Sequence, residues 1–260
     1  MTPRYETLRA AIARHDAAPF EELADDPVVR ETDPRGFALL HHAVRGKDAP
    51  IVDRLLRAGA DPDARNAYYE RTALHYAALE ATGPIVTMLV ARGADVHAVD
   101  SDGMTPLMWA PTNPGKPGIV SAVCRALLEG GARATDKTPE GRTALHGAGY
   151  EGSTEAAAEL LAAGADPDAR SGDAGLTPLH VCAANGGGKE SQAQWVAVVE
   201  QLLAAGADRS AKTSGPGTLS SRPFRAGATP LDLAKSHRHD MIAVLLGGAE
   251  ATQAPARKRR

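Results

Sequence analysis

Aromatic residues make up only 4% of the 260 positions, and there are just two cysteines, Cys124 and Cys182. So few rings exclude a core built on large side chains. Hydrophobic content of 43% must instead be packed mainly as Ala, Leu and Val. The two cysteines fit neither a disulfide framework nor a metal-ligand spacing, and they suit a reducing compartment. No run approaches the ~18 consecutive apolar residues of a membrane span. The start, Met1 to Glu6, also lacks the apolar core of a signal peptide, so a cytoplasmic location is expected. Neither sign of charge dominates: the net charge of −3 provides no field that would gather nucleic acid or an anionic membrane. What is abundant is punctuation. The 26 glycines and 18 prolines imply many short helices separated by turns.

A tetrad recurs along the chain as Ala38-Leu39-Leu40-His41, Thr72-Ala73-Leu74-His75, Thr105-Pro106-Leu107-Met108, Thr143-Ala144-Leu145-His146, Thr177-Pro178-Leu179-His180 and Thr229-Pro230-Leu231-Asp232. These begin 34, 33, 38, 34 and 52 residues apart. A second tag alternates with the first: Gly59-Ala60-Asp61, Gly93-Ala94-Asp95, Gly131-Ala132-Arg133, Gly164-Ala165-Asp166, Gly206-Ala207-Asp208 and Gly248-Ala249-Glu250. The residue types have physical reasons. A threonine hydroxyl caps a helix, and proline follows at the first helical position, where no N–H is missed. Apolar residues at helical spacing, such as Ile51, Val52, Leu55 and Leu56, or Ala157, Leu160 and Leu161, then form a second helix that the tag glycine ends.

Two tags alternating at this period resemble the ankyrin repeat family, over about residues 34 to 250. The resemblance implies an all-α solenoid of helix-turn-helix units joined by hairpin loops. About six repeats are expected, at 34–66, 67–100, 101–137, 138–171, 172–213 and 214–250. Residues 1–33 read as an N-terminal capping helix pair with Leu8, Ile12, Phe20 and Leu23 on its apolar face, and 251–260 as a disordered basic tail. Asp232 in place of histidine, with Lys235, His237, Arg238 and His239, suits a C-terminal cap.

Three departures from the period individualise the chain. Residues 111–118 and 185–193 are insertions between paired helices, and the prolines of the first must cut a helix short. Residues 213–227, rich in Ser, Gly, Pro and Arg, read as a mobile loop.

No catalytic site and no cofactor are expected. The aligned histidines His41, His75, His146 and His180 stand where the family uses hydrogen bonds between neighbouring hairpins and helices. Together with the His237/His239/Asp240 group they have no fixed ligand spacing, so no metal is expected. Cys124 and Cys182 fall at packing positions and read as buried hydrophobes. Asn185-Gly186-Gly187-Gly188-Lys189 lacks the spacing of a phosphate loop. Gly147 and Gly149 weaken a short helix, so either Trp109 packs over them or a ligand approaches the backbone.

The resemblance implies partner docking on hairpin tips and on the groove of the first helices. The residues expected there are Tyr68, Tyr69, Arg71, Tyr76, Leu79, Glu80, Asp102, Met104, Trp109, Arg142, Tyr150 and Glu151, with the Tyr68-Tyr69 pair foremost because tyrosine and arginine are enriched at binding hot spots. The partner expected is another protein. Two rival readings are a small-molecule or enzyme pocket near Trp109, Gly147 and Tyr150, and nucleic-acid contact through Arg257, Lys258, Arg259 and Arg260.

Overall fold

The computed structural model describes residues 2–23, 26–112, 118–185 and 192–247. The expectations placed on the insertion residues 113–117 and 186–191 and on the tail 251–260 lie outside the described residues. The chain divides into two compact units, Met1–Thr138 and Pro139–Arg260.

Unit 1 opens with α1 (Pro3–Ala13), then carries the pairs α2 (Leu39–Arg45) and α3 (Ala49–Arg57), α4 (Ala73–Leu79) and α5 (Gly83–Ala91), and α6 (Pro106–Trp109) and α7 (Ile119–Glu129). Unit 2 carries α8 (Ala144–Glu151) with α9 (Thr154–Ala162), α10 (Pro178–Asn185) with α11 (Gln192–Ala204), and α12 (Pro230–His237) with α13 (Asp240–Gly247). Between α11 and α12 it adds a hairpin of β1 (Gly217–Leu219) and β2 (Arg222–Phe224). Within each unit the first helices pack in a row, α2 on α4 on α6 and α8 on α10 on α12, and the second helices pack behind them.

The tetrads and tags act as the sequence implies. The tag glycines Gly59, Gly93, Gly131, Gly164 and Gly206 have φ between 82° and 100°, a left-handed conformation that a side chain would strain. The alanine after each closes the helix end: Ala60, Ala94, Ala132, Ala165 and Ala207 donate to Leu55, Leu89, Leu127, Leu160 and Leu202 carbonyls at 2.9–3.0 Å. Those leucines are fully buried. Each contributes about 1.5–3 kcal/mol relative to exposure. Proline starts α6, α10 and α12, as expected. Pro111 stands in a 3-10 turn (Ala110–Thr112), and α6 is only four residues long.

Four differences from the sequence reading have physical causes. Among the described residues of 3–30 there are one α-helix and two single 3-10 turns, Ala18–Phe20 and Pro27–Arg30, and no second α-helix. Pro19 and Pro27 would lack a donor inside a longer helix, so each sits at the start of a short turn. Phe20, Leu23, Leu8 and Ile12 are nevertheless buried as an apolar face. Residues 213–227 are not a loop throughout. Their core is the β1–β2 hairpin, in which Phe224 folds onto Gly217, where a Cβ would meet the ring at 2.6 Å. The exposed tip expected to include Met104 does not: Met104 is 7% exposed and points inward. Tyr76 is likewise only 6% exposed.

Neither cysteine forms a disulfide, and both are fully buried. Burial pushes the Cys182 thiol well above its ordinary range, so the reactive thiolate is suppressed. Native protein is therefore expected to resist a maleimide reagent until denatured. Modification of Cys182 at the rate of an exposed thiol would contradict this burial. Among the described residues no helix is long and apolar enough to cross a membrane, and no three His, Cys, Asp or Glu side chains gather as a metal site.

Candidate binding surface

The histidine of each tetrad joins one repeat to the next. His41, His75, His146 and His180 Nδ1 accept the backbone N–H of Ala38, Thr72, Thr143 and Thr177 at 3.1–3.2 Å. Because Nδ1 accepts, the proton sits on Nε2. Nε2 donates to the carbonyl just before the following tetrad: Arg71, Met104, Leu176 and Ala228, at 2.9–3.1 Å. These rings are structural. Burial holds His41 and His75 neutral, with pKa values lowered to about 4, and it also lowers His180. At the last tetrad Asp232 Oδ2 takes over, accepting the Thr229 amide at 2.9 Å and its hydroxyl at 2.7 Å. Met108 has no imidazole to make such a bond.

Main-chain bonds then link neighbouring hairpins: Ala67 N–H to the Arg35 carbonyl, Ser101 to Tyr69, Gly172 to Glu140 and Ser214 to Ala174, at 2.7–2.9 Å. Side chains add to these ties: Arg65 donates to the Val99 carbonyl at 2.6 Å and Arg170 to the Lys212 carbonyl at 3.0 Å.

On unit 1 the tips and first helices bring together an aromatic and cationic cluster. The Arg71 guanidinium carbon lies 3.9 Å from the Trp109 ring centroid and 4.8 Å from that of Tyr69. Arg71 Nε donates to Asp100 Oδ2 at 3.0 Å, as does Trp109 Nε1. Asp100 Oδ1 accepts the Asp102 and Met104 amides, both at 3.0 Å. One fully buried carboxylate thus holds four of the expected contact residues, Arg71 and Trp109 by their side chains and Asp102 and Met104 by their amides. Beside them Arg45 stands 5.5 Å from the Phe37 ring and 5.6 Å from the Tyr76 ring. Tyr76 itself is packed away, and burial raises its phenol pKa.

The outcome for the expected residues is mixed. Tyr68 and Tyr69 are 66% and 51% exposed, with Asp102 exposed beside them. Arg71, Trp109 and Leu79 are half-buried. Half-buried Glu80 is engaged by Lys47 at 3.1 Å. Tyr76 and Met104 support the surface from beneath. Asp100 was missed from the sequence, although its place at the start of a hairpin matches Asp33 and Asn66, which also accept hairpin amides.

Arg142, Tyr150 and Glu151 come together on unit 2. With His146, Ser171, Leu176, Val181 and Leu219 they line an open cavity of about 480 Å³. Tyr150 is 48% exposed, and burial raises the Glu151 carboxyl pKa despite the opposing pull of Arg142. Gly149 is explained without a ligand: a Cβ there would meet the Pro178 carbonyl at 2.9 Å, so glycine permits α8 and α10 to approach.

A family model described as ankyrin repeats matches residues 40–124, 82–171 and 118–213. Among curated relatives, the nuclear factor NF-kappa-B p105 subunit of Mus musculus is 41% identical over 122 residues, which are 46% of this chain and 11% of that one. The B-cell lymphoma 3 protein homolog of Mus musculus is 31% identical over 160 residues, 60% of this chain and 35% of that one. Potassium channel KOR2 of Oryza sativa subsp. japonica is 43% identical over 68 residues, 26% of this chain and 9% of that one. The chain therefore spans 35% or less of the length of these relatives. Among solved structures, the ankyrin repeat domain of Bcl-3 has a similar fold, with a TM-score of 0.69 at 24% identity, over 95% of this chain and 99% of that one.

Proposed function

Because the chain belongs to the ankyrin repeat family, we propose that it is a non-catalytic protein-binding module, acting as an adaptor, inhibitor or immunity-type factor. One observation carries this reading. Tyr68 and Tyr69 are large rings left 66% and 51% exposed on a hairpin tied to its neighbours by main-chain bonds and by the Arg65 and Arg71 side chains. A ring so placed contributes little to the core, and tyrosine is favoured where a partner buries it. Arg71 and Trp109, held by Asp100, would give that surface a rigid flank. Preorganisation of this kind lowers the ordering cost of association. Two buried cysteines outside any disulfide suit a reducing compartment such as the cytoplasm.

Affinity purification followed by mass spectrometry tests the reading. Wild-type chain should capture a protein that the Tyr68→Ala/Tyr69→Ala variant fails to retain, while circular dichroism of the two remains alike. Identical captures would leave the proposed face without support.

A further inference from the structure

The cavity on unit 2 has a feature that plain repeats lack: part of its wall is the inserted β1–β2 hairpin, which contributes Leu219. That hairpin is fastened in place. His237 Nε2 donates to the Leu219 carbonyl at 3.0 Å. Arg222 donates to the Ser236 carbonyl, and Ser220 Oγ to Asn185 Oδ1. An inserted segment serving only as a linker needs none of these ties.

The charges of the cavity are separated along α8. Arg142 precedes the helix at the hairpin end, and Glu151 is its last residue. At a rise of 1.5 Å per residue α8 spans about 10 Å from Ala144 to Glu151, and Arg142 lies two residues beyond its start. The rest of the lining is apolar Leu176, Val181 and Leu219, the Tyr150 ring, and polar His146 and Ser171. A cation at one end, an apolar wall and a carboxylate beside an aromatic ring at the other form a polar-apolar-polar series. In an extended peptide the side chains at i, i+2 and i+4 share one face and span about 13 Å. The two lengths are similar, and about 480 Å³ is in the range of ligand sites.

We propose that this cavity binds an extended peptide segment of the pattern acid-x-aliphatic-x-base. The acidic side chain pairs with Arg142, the aliphatic one packs on Leu176, Val181 and Leu219, and the basic one meets Glu151 and the Tyr150 ring. The proposal extends the reading of the chain as a protein-binding module. Its residues all belong to unit 2, however, so it succeeds or fails separately from the Tyr68-Tyr69 tip.

The test is a nuclear magnetic resonance titration of the full chain with acetyl-Glu-Thr-Leu-Thr-Lys-amide and with acetyl-Lys-Thr-Leu-Thr-Glu-amide, since the cavity does not fix chain direction. At least one should shift the Leu176, Val181 and Leu219 methyl signals with a dissociation constant of about 1 mM or tighter. Changing the peptide's Glu to Gln, Lys to Gln, or Leu to Ser should weaken it about fivefold or more. In Glu151→Gln the Lys and Gln peptides should bind alike, and in Arg142→Gln the Glu and Gln peptides should do so. The proposal is overturned if neither order moves those methyls at about 5 mM, a concentration that would reveal even millimolar binding. Equal binding of the substituted peptides to wild type, or shifts confined to unit 1, would overturn it too. Loss of partner capture by the tyrosine variant together with a silent titration would spare the proposed function and reject this site alone.

Discussion

Asp100→Ala is expected to destabilise unit 1 by about 3 to 5 kcal/mol, the cost of leaving one member of a buried ion pair without its partner. The carboxylate is fully buried and accepts from Arg71, Trp109 and the amides of Asp102 and Met104. Alanine would leave all four donors unsatisfied, and the Arg71 side chain is only 13% exposed, so water can replace little of the loss. Asp100→Asn should also destabilise, because its NH₂ group must face donors on one side or the other. The Arg71→Ala/Asp100→Ala pair should cost less than the two single changes added together, since the second removal no longer strands a charge. Urea unfolding measures all of these. A shift for Asp100→Ala within about 0.5 kcal/mol, the range of ordinary surface substitutions, would show that the cluster is not the support described here.

Acidification should unfold the chain in a window set by its tetrad histidines. An unfolded histidine titrates near 6.5, whereas His41 and His75 are held down to about 4. Between those values the unfolded chain binds protons that the folded chain refuses, so stability falls as pH falls. It is complete above about 6.5 and decreases toward pH 4. Each of the two rings contributes on the order of 3 kcal/mol to that loss. The cause is geometric: protonated Nδ1 would turn a donor toward the Ala38 or Thr72 amide that it now accepts. Equilibrium unfolding at pH 7.5, 6, 5 and 4.5 follows the trend, and the imidazole proton signals assign it to residues. Stability unchanged from pH 7 to 5, or His41 and His75 titrating near 6.5, would contradict the assigned tautomer.

The repeat architecture was legible because each of its devices has a residue type that does one thing well. The tag glycines take a left-handed φ, Pro106, Pro178 and Pro230 open helices, and imidazoles bridge an amide and a carbonyl. The β1–β2 hairpin was hidden because three-residue strands are too short to show alternation, and Gly217, Pro223 and the serines between them read as a loop. Its order depends on partners distant in sequence, Asn185, Ser236 and His237. The inward turn of Met104 could have been anticipated. It stands immediately before a tetrad, like Phe37; its carbonyl accepts from His75 as that of Phe37 accepts from Tyr5, and both side chains are buried. Trp109 was legible as important, and the structure adds that it lies on Arg71 and donates to Asp100. Exposure of Tyr68 and Tyr69 followed from the sequence.

The central claim is that the Tyr68-Tyr69 tip serves a partner and not the fold. Calorimetric titration of the captured protein with wild type and with Tyr68→Ala/Tyr69→Ala, alongside thermal melts in the same buffer, tests it most directly. The account predicts a loss of at least about 2 kcal/mol in binding, as for hot-spot residues, with a melting temperature lowered by no more than about 2 °C. Unchanged affinity, or a large drop in melting temperature accompanying any loss of binding, would mean that the tyrosines stabilise the hairpins and that the partner docks elsewhere.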